Sequence, residues 1–396
     1  MARKGNIMND FQLQLPTKVI FGAGSISRLG EIAKEFGGKA FILTYDRELM
    51  EEIGIWQKIT GALNGAGIEF VPFFGVKSNP TIEHTREAIG KIKESKPDVI
   101  IAVGGGSVID EAKTIGIGAL YDGDAWDLCS GSAPITASLP VIAVVTIPAT
   151  SSEMNCTSVM SNDALRRKDG FANPVMYPKI ALLDPELTYP IPVRQTAYSA
   201  ADIISHAFEA YLTHTKEWAP FQNRYAEGVV KTIIECMDRL LENPGDADAR
   251  AMMMWTATYT WNGFFVCGLG GFDNPIHILG HSLSAFYDLP HGAAMSITIP
   301  AYMKSDIEPR KERFARCARE IFGVENSDDL AAAQEGIDLL VQWFRKIGTP
   351  TTFAEAKIPD NELVALAKDA VQTANSWGLG DLWTEERALA MFERAL

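Results

Sequence analysis

The sequence predicts a two-part fold: an α/β half built on a parallel sheet, then an all-helical half. Three observations carry this expectation. Up to about Tyr189, short apolar runs alternate with amphipathic stretches, the pattern of parallel strands joined by crossover helices. Two of those runs, VIIAV at 99–103 and PVIAVV at 140–145, are apolar throughout, as befits strands covered on both faces. Beyond Pro190 and Pro192 only helical periodicity remains. The boundary therefore falls at 189/190, giving domains 1–189 and 190–396.

In chain order, strands are expected at Lys18–Phe21, Ala40–Tyr45, Phe70–Phe74, Val99–Val103, Val141–Val145 and Ile180–Leu183. Helical patterns lie between them at Ile26–Phe36, Thr81–Ser95 and Val108–Ala119. The second half reads as helices at Tyr198–Leu212, Arg224–Leu241, Asp248–Trp261, Asn274–Phe286, Lys311–Phe322, Ser327–Ile347 and Asn361–Thr373. The uncharged stretch Ala251–Phe272 exceeds the roughly 18 residues that flag a membrane span. It holds four Thr or Asn and four Gly residues, however, and has no counterpart elsewhere. It reads as a helix buried between other helices.

Composition narrows the function. With 396 residues, 47% hydrophobic and 22% charged, the chain can bury sizeable cores. A net charge of -14, from 36 basic and 50 acidic residues, argues against nucleic acid or an anionic membrane as partner. The five cysteines are odd in number, far apart and without a CxxC pair, which reads as reduced thiols in the cytoplasm. The N-terminus MARKGNIMND is polar and lacks the apolar core of a signal peptide.

The segment DVIIAVGGGSVIDEAK, Asp98–Lys113, joins an apolar strand to a helix through Gly104, Gly105, Gly106 and Ser107. Such glycines let backbone N–H groups approach a ligand, and the helix start favours an anion. This describes a pyrophosphate site, although Ile109 stands where the G-x-G-x-x-G fingerprint needs its third glycine. FGAGS at 21–25 is a weaker glycine turn. The loop TIPATSSE at 146–153 places hydroxyls after another apolar strand, where doubly wound sheets bind ligands. Ser152 or Glu153 can also cap a helix start there.

Histidine is scarce, six in the chain, yet four fall into two patterns. Asp202 and His206 are spaced i, i+4 on one helix face. His277 and His281 have the same spacing, and His291 follows in LPHG, where Pro290 and Gly292 break the helix and can turn His291 back. One carboxylate and three imidazoles suit one divalent ion such as Fe²⁺, Zn²⁺, Co²⁺ or Ni²⁺. The fourth histidine is then left to carry a proton. His84 and His214 lack this context and read as surface residues.

With GGGSVID, TIPATSSEMN, LLDPELTYPIPVRQ, Asp202-x-x-x-His206 and the His277/His281/His291 group in this order, the chain resembles the iron-dependent (group III) alcohol dehydrogenases. It is most similar to the branch of butanol dehydrogenases and NADPH-dependent aldehyde reductases. The resemblance runs from Phe21 to LPHG and weakens after about Tyr302. It implies a Rossmann-like dinucleotide-binding domain, an all-α domain and an active-site cleft between them, the architecture shared with dehydroquinate synthase. It also implies metal ligands Asp202, His206, His277 and His291, with His281 in the catalytic cleft. The implied cofactor residues are Gly104, Gly105, Gly106, Ser107, Asp110, Thr146, Thr150 and, in SNPT, Asn79. Two positions depart from the family pattern. Ser151 stands where a glycine is usual, and Val76 replaces a second glycine after Gly75.

The implied chemistry is reversible hydride transfer between NAD(P)(H) and a small primary alcohol or aldehyde, with Fe²⁺ or Zn²⁺ as Lewis acid and His281 relaying the proton. The alternatives are a dehydroquinate synthase-like lyase and a glycerol or diol dehydrogenase. The apolar and aromatic residues around His277–His291, with no Lys or Arg, favour a neutral substrate over a phosphorylated one. Within TYDREL, Asp46 can hydrogen-bond the adenosine ribose and repel a 2′-phosphate, whereas Arg47 can attract one. Glu48 and Glu51 add to the repulsion, so NAD(H) is favoured over NADP(H). Alternatively, both side chains simply cap the next helix. The resemblance also implies a homodimer or larger homo-oligomer.

Overall fold

The computed structural model describes residues 8–396. The first seven residues of the polar N-terminus discussed above lie outside them. The described chain divides into two units. One holds residues 15–191 with 245–262, and the other holds 8–14, 192–244 and 263–396.

The first unit contains β1 (Lys18–Phe21), β2 (Lys39–Thr44), β3 (Glu69–Phe73), β4 (Val99–Gly105), β5 (Val141–Ile147), β6 (Thr157–Asn162), β7 (Arg167–Ala172) and β8 (Ile180–Leu183). Six of these form one sheet, in the order β1-β8-β5-β4-β2-β3, and every pairing in it is parallel. The sheet has a core on each face because strand side chains alternate. On β2, Ala40 and Ile42 join Leu29, Ile59 and Leu63, from α1 (Leu29–Lys34) and α3 (Ile55–Gly65). Phe41 and Leu43 join Ala88, Val108 and Ile115, from α4 (Ile82–Ser95) and α5 (Gly106–Gly118). Two short helices, α2 (Arg47–Glu52) and α6 (Ala125–Cys129), complete this part of the chain.

The antiparallel pair β6–β7 was not expected from the sequence. TSVMSN and RKDGFA carry no apolar alternation, since Ser158, Ser161, Lys168 and Asp169 are buried polar residues. Their hydrogen bonds, not a greasy face, hold the hairpin in place.

The second half of the chain is helical, with no strand after β8 among the described residues. Its helices are α7 (Val193–Thr213), α8 (Pro220–Glu242), α9 (Ala247–Thr260), α10 (Pro275–Tyr287), α11 (His291–Ser305), α12 (Ile307–Phe322), α13 (Asp329–Lys346), α14 (Phe353–Ala356), α15 (Leu363–Ser376) and α16 (Glu385–Glu393). The 189/190 boundary misplaces α9, which groups with the α/β unit. Its Met254 packs in the same cluster as Ile100 and Ile115, and Arg250 donates to the Ile191 carbonyl.

Ala251–Phe272 is not one buried helix. α9 ends at Thr260, and Gly263, Gly268 and Gly270 follow at φ 86°, 74° and 83°, backbone only glycine adopts readily. Met252 and Trp255 are exposed. No helix among the described residues is long and apolar enough to cross a membrane. α11 also escaped the sequence reading. It is buried from Gly292 to Met303 and carries Pro300 inside, so it shows no one-sided stripe.

Candidate functional site

The histidine group belongs to the helical unit. Asp202 and His206 lie one turn apart on α7, which is buried from Thr196 to Thr213. His277 and His281 lie one turn apart on α10, and His291 opens α11 directly after Pro290. One ligand atom each from Asp202, His277 and His291 falls within 4.8 Å of the other two. Asp202 Oδ1 is 3.4 Å from His291 Nε2, the separation of two ligands each about 2.1 Å from a shared tetrahedral ion. His206 adjoins this group, with Nδ1 3.6 Å from Asp202 Oδ1 and its ring 4.5 Å from that of His277. The His281 ring lies 5.6 Å from His291 and 6.2 Å from His277, and edge-on to Trp377 at 5.2 Å.

Burial, with the neighbouring His277, pushes His206 well below the usual imidazole range. A neutral ring keeps a lone pair for a cation. One carboxylate and several imidazoles on rigid buried helices therefore fit a borderline divalent ion.

Glu209 was missed by the sequence reading. It lies seven residues after Asp202, on the same face of α7, and is fully buried. Its Oε1 accepts from the His277 backbone N–H at 2.6 Å and hydrogen-bonds His277 Nδ1 at 2.8 Å. Burial raises this carboxyl well above the usual range, against the pull of the His277 and Ile276 N–H groups. The visible signal was the run of the spacing from 202 to 206 to 209.

The cofactor candidates belong to the α/β unit. A Cβ on Gly104 would strike Val108, one on Gly105 would come 3.0 Å from the Ile147 Cβ, and one on Gly106 would strike Thr150. The first turn of α5 carries no acidic residue, so its positive end stays uncompensated. Gly105 N–H donates to Tyr45 Oη at 3.0 Å, which pins the loop. Ser107 Oγ donates to the Ser78 carbonyl, next to buried Asn79. Thr146 is buried at the end of β5, and Thr150 is half-buried.

Asp110, which the resemblance places beside the cofactor, also braces the structure. Its Oδ1 accepts from Ser152 Oγ and its Oδ2 from the Val159 N–H, so both oxygens brace the segment leading into β6. Thr150 Oγ1 accepts the Ser152 N–H of this turn at 3.2 Å. Asp46 stands at the N-cap of α2 but makes no side-chain cap bond there. Arg47 pairs with Glu51 at 2.9 Å and lies over the Phe74 ring.

Two lysines went unnoticed in the sequence. Lys168 on β7 donates to Asn79 Oδ1 at 2.9 Å. Lys113 on α5 is fully buried and donates to Ser152 Oγ, Asn155 Oδ1 and the Thr157 carbonyl. Burial pulls its ammonium down to about 8, partly offset by the Asp110 charge.

The two departures have local reasons. Ser151 has φ 52°, a left-handed backbone that explains a family glycine there. Its hydroxyl donates to the Ala257 carbonyl and accepts from the Trp261 N–H. Val76 simply fills the cluster around Phe41 and Phe73.

His84 and His214 are not surface residues. His84 bonds Glu111 Oε1 through Nδ1 at 2.7 Å and the Phe74 carbonyl through Nε2 at 2.9 Å. His214 is buried between Asn223 and Arg313. Both depend on partners distant in sequence.

The iron-containing alcohol dehydrogenase model matches residues 16–185, and the Fe-containing alcohol dehydrogenase C-terminal model matches 196–396. The chain is 34% identical to the probable NADH-dependent butanol dehydrogenase 1 of Bacillus subtilis, over 98% of this chain and 100% of that one. It is 31% identical to the NADPH-dependent aldehyde reductase YqhD of Escherichia coli, over 91% and 92%. The crystal structure of NADH-dependent butanol dehydrogenase A from Thermotoga maritima superposes with a TM-score of 0.93 at 34% identity, covering 98% of this chain and 99% of that one. The chain therefore belongs to the iron-containing alcohol dehydrogenase family, whose NAD(P)-dependent enzymes interconvert alcohols and carbonyl compounds.

Proposed function

We propose that this enzyme reduces small aliphatic aldehydes to primary alcohols, and runs the reverse reaction, with NAD(H) preferred over NADP(H) and one divalent metal, Fe²⁺ or Zn²⁺. The observation that carries the reading is the convergence of Asp202, His277 and His291 donor atoms within 4.8 Å, beside a His206 kept neutral by burial. Asp202, His206, His277 and His291 would hold the ion, which supplies Lewis-acid polarisation of a C–O bond.

His281 has the proton role. It adjoins His277 and His291 without being one of the three converging residues, and imidazole exchanges protons near neutral pH. Gly104 to Ser107, at the start of α5, take the pyrophosphate. Thr146, Thr150 and Asn79 flank that turn, and Asp110 acts on it indirectly by holding the 150–159 segment.

The NAD(H) preference rests on Asp46, whose side chain is not spent on capping α2, and on Arg47 being paired to Glu51. Two relatives named as NADH-dependent butanol dehydrogenases support it, and they support a butanal-sized substrate. The five free cysteines fit a cytoplasmic enzyme. A homodimer or larger assembly goes with the family, and sedimentation of the purified chain tests it.

The activity is tested by following the reduced-nicotinamide absorbance with butanal, with and without added Fe²⁺ or Zn²⁺. Metal-dependent oxidation of NADH is expected, with a higher kcat/KM than for NADPH. Asp46→Gly should narrow that ratio. A wild type that prefers NADPH, or a ratio unmoved by the substitution, overturns the cofactor assignment.

A further inference from the structure

We propose that Glu209 is a positioning residue for the metal site: one buried carboxylate oxygen both caps α10 and fixes the tautomer and orientation of the His277 ring. The inference rests on the metal reading of the preceding subsection and goes beyond its four ligands.

The local geometry of α10 shows why an outside cap is needed. Its first turn is Pro275, Ile276 and His277, and Asn274 at the N-cap makes no side-chain cap bond and has φ 46°. N–H groups at a helix start need acceptors. Glu209 supplies one from α7, accepting the His277 N–H at 2.6 Å.

The same Oε1 lies 2.8 Å from His277 Nδ1. With the proton on Nδ1 donated to Glu209, a neutral imidazole presents its lone pair at Nε2 alone. Backbone and ring of one residue are thus held by one atom, so the ring can neither flip nor slide along α7. Asp202, His206 and Glu209 share one face of that helix, and a single rigid element sets two proposed ligands and the brace for a third. Carboxylate–histidine pairs of this kind typically change metal affinity by about 10- to 100-fold when broken.

The test uses full-length enzyme stripped with a chelator and titrated with Co²⁺, read by its visible d–d absorption. Wild type, Glu209→Gln and Glu209→Leu are compared, with NADH affinity as a control. Gln keeps a neutral acceptor of the same shape, so its Co²⁺ Kd should rise about 10-fold. Leu removes the acceptor, and its Kd should rise about 100-fold with a shifted band. NADH affinity should be unchanged in both. If Leu does not fold, the Gln variant decides alone. Co²⁺ affinity and band position at wild-type values in the folded variants would overturn the positioning role while leaving the metal reading intact. A wild type that binds no Co²⁺ would overturn both.

Discussion

The two sites are built from opposite materials. Around Gly104–Ser107 the chain works by having almost no side chains. Glycines there avoid clashes with Val108, Ile147 and Thr150, and the start of α5 is where the proposed pyrophosphate would sit. Around Asp202–His291 the proposed metal site is built entirely from side chains, five of them from α7, α10 and α11. A backbone site tolerates neighbours of any kind but no added atoms. A side-chain site tolerates added atoms at its rim but no missing ones. Substitutions should therefore separate the two cleanly.

The sharpest separation comes from the histidines. His206→Ala and His277→Ala should each lose the metal and lower kcat/KM for butanal at least about 10³-fold, because Lewis-acid assistance is worth several kcal/mol. NADH affinity, assigned above to the α/β unit, should stay at the wild-type value. Metal analysis and fluorescence titration of NADH check both halves. Full metal occupancy in both variants breaks the ligand assignment.

Gly106→Ala is the converse. Its Cβ would collide with Thr150, and overpacking of about 1–3 kcal/mol should raise the NADH Kd about tenfold or more. Metal content should not change. Equal NADH affinity would mean that the triple glycine serves only the turn.

The same contrast explains what the sequence made legible. Apolar strands announce themselves locally, so the six parallel strands were readable within a residue or two. The rare histidines at helical spacing were readable for the same reason. Features held by distant partners were not. Glu209 meets His277 across 68 residues, and β6–β7 is held by buried polar contacts such as Lys168 to Asn79 across 89. α9 looks like its helical neighbours, and only the packing of Met254 against the sheet assigns it to the α/β unit. His84 and His214 were misread because Glu111 and Arg313 lie 27 and 99 residues away.

His84 offers a smaller, pH-dependent effect on the α/β side. Burial pulls its pKa down, but the hydrogen bond and charge of Glu111, with the Phe74 carbonyl and Glu87, leave it raised overall. A folded pKa above the unfolded value means the contribution is fully present below about 6.5. It is then lost as pH rises through the raised value. His84→Gln should therefore destabilise the protein most at acidic pH and least at alkaline pH, measured by urea midpoints across that range. A gap between the two proteins that is constant with pH would remove the charged histidine from the account. His206 should behave oppositely, since burial lowers its pKa.

The smallest net change is expected at Ser151, where two terms oppose. The left-handed backbone at φ 52° costs a non-glycine residue about 1–2 kcal/mol. Against that, the hydroxyl satisfies the Trp261 N–H at 2.8 Å and the Ala257 carbonyl, and leaving such buried groups unpaired costs about 1–3 kcal/mol. Ser151→Ala keeps the strain and loses the bonds, so it should destabilise by about 1–3 kcal/mol. Ser151→Gly loses the bonds but relieves the strain, so its net change should lie near zero. The difference between the two variants then measures the backbone term alone, and urea unfolding resolves it. Equal losses in Ala and Gly would mean that the left-handed conformation carries no strain here. In that case the hydroxyl's tie to the end of α9 alone would account for the serine.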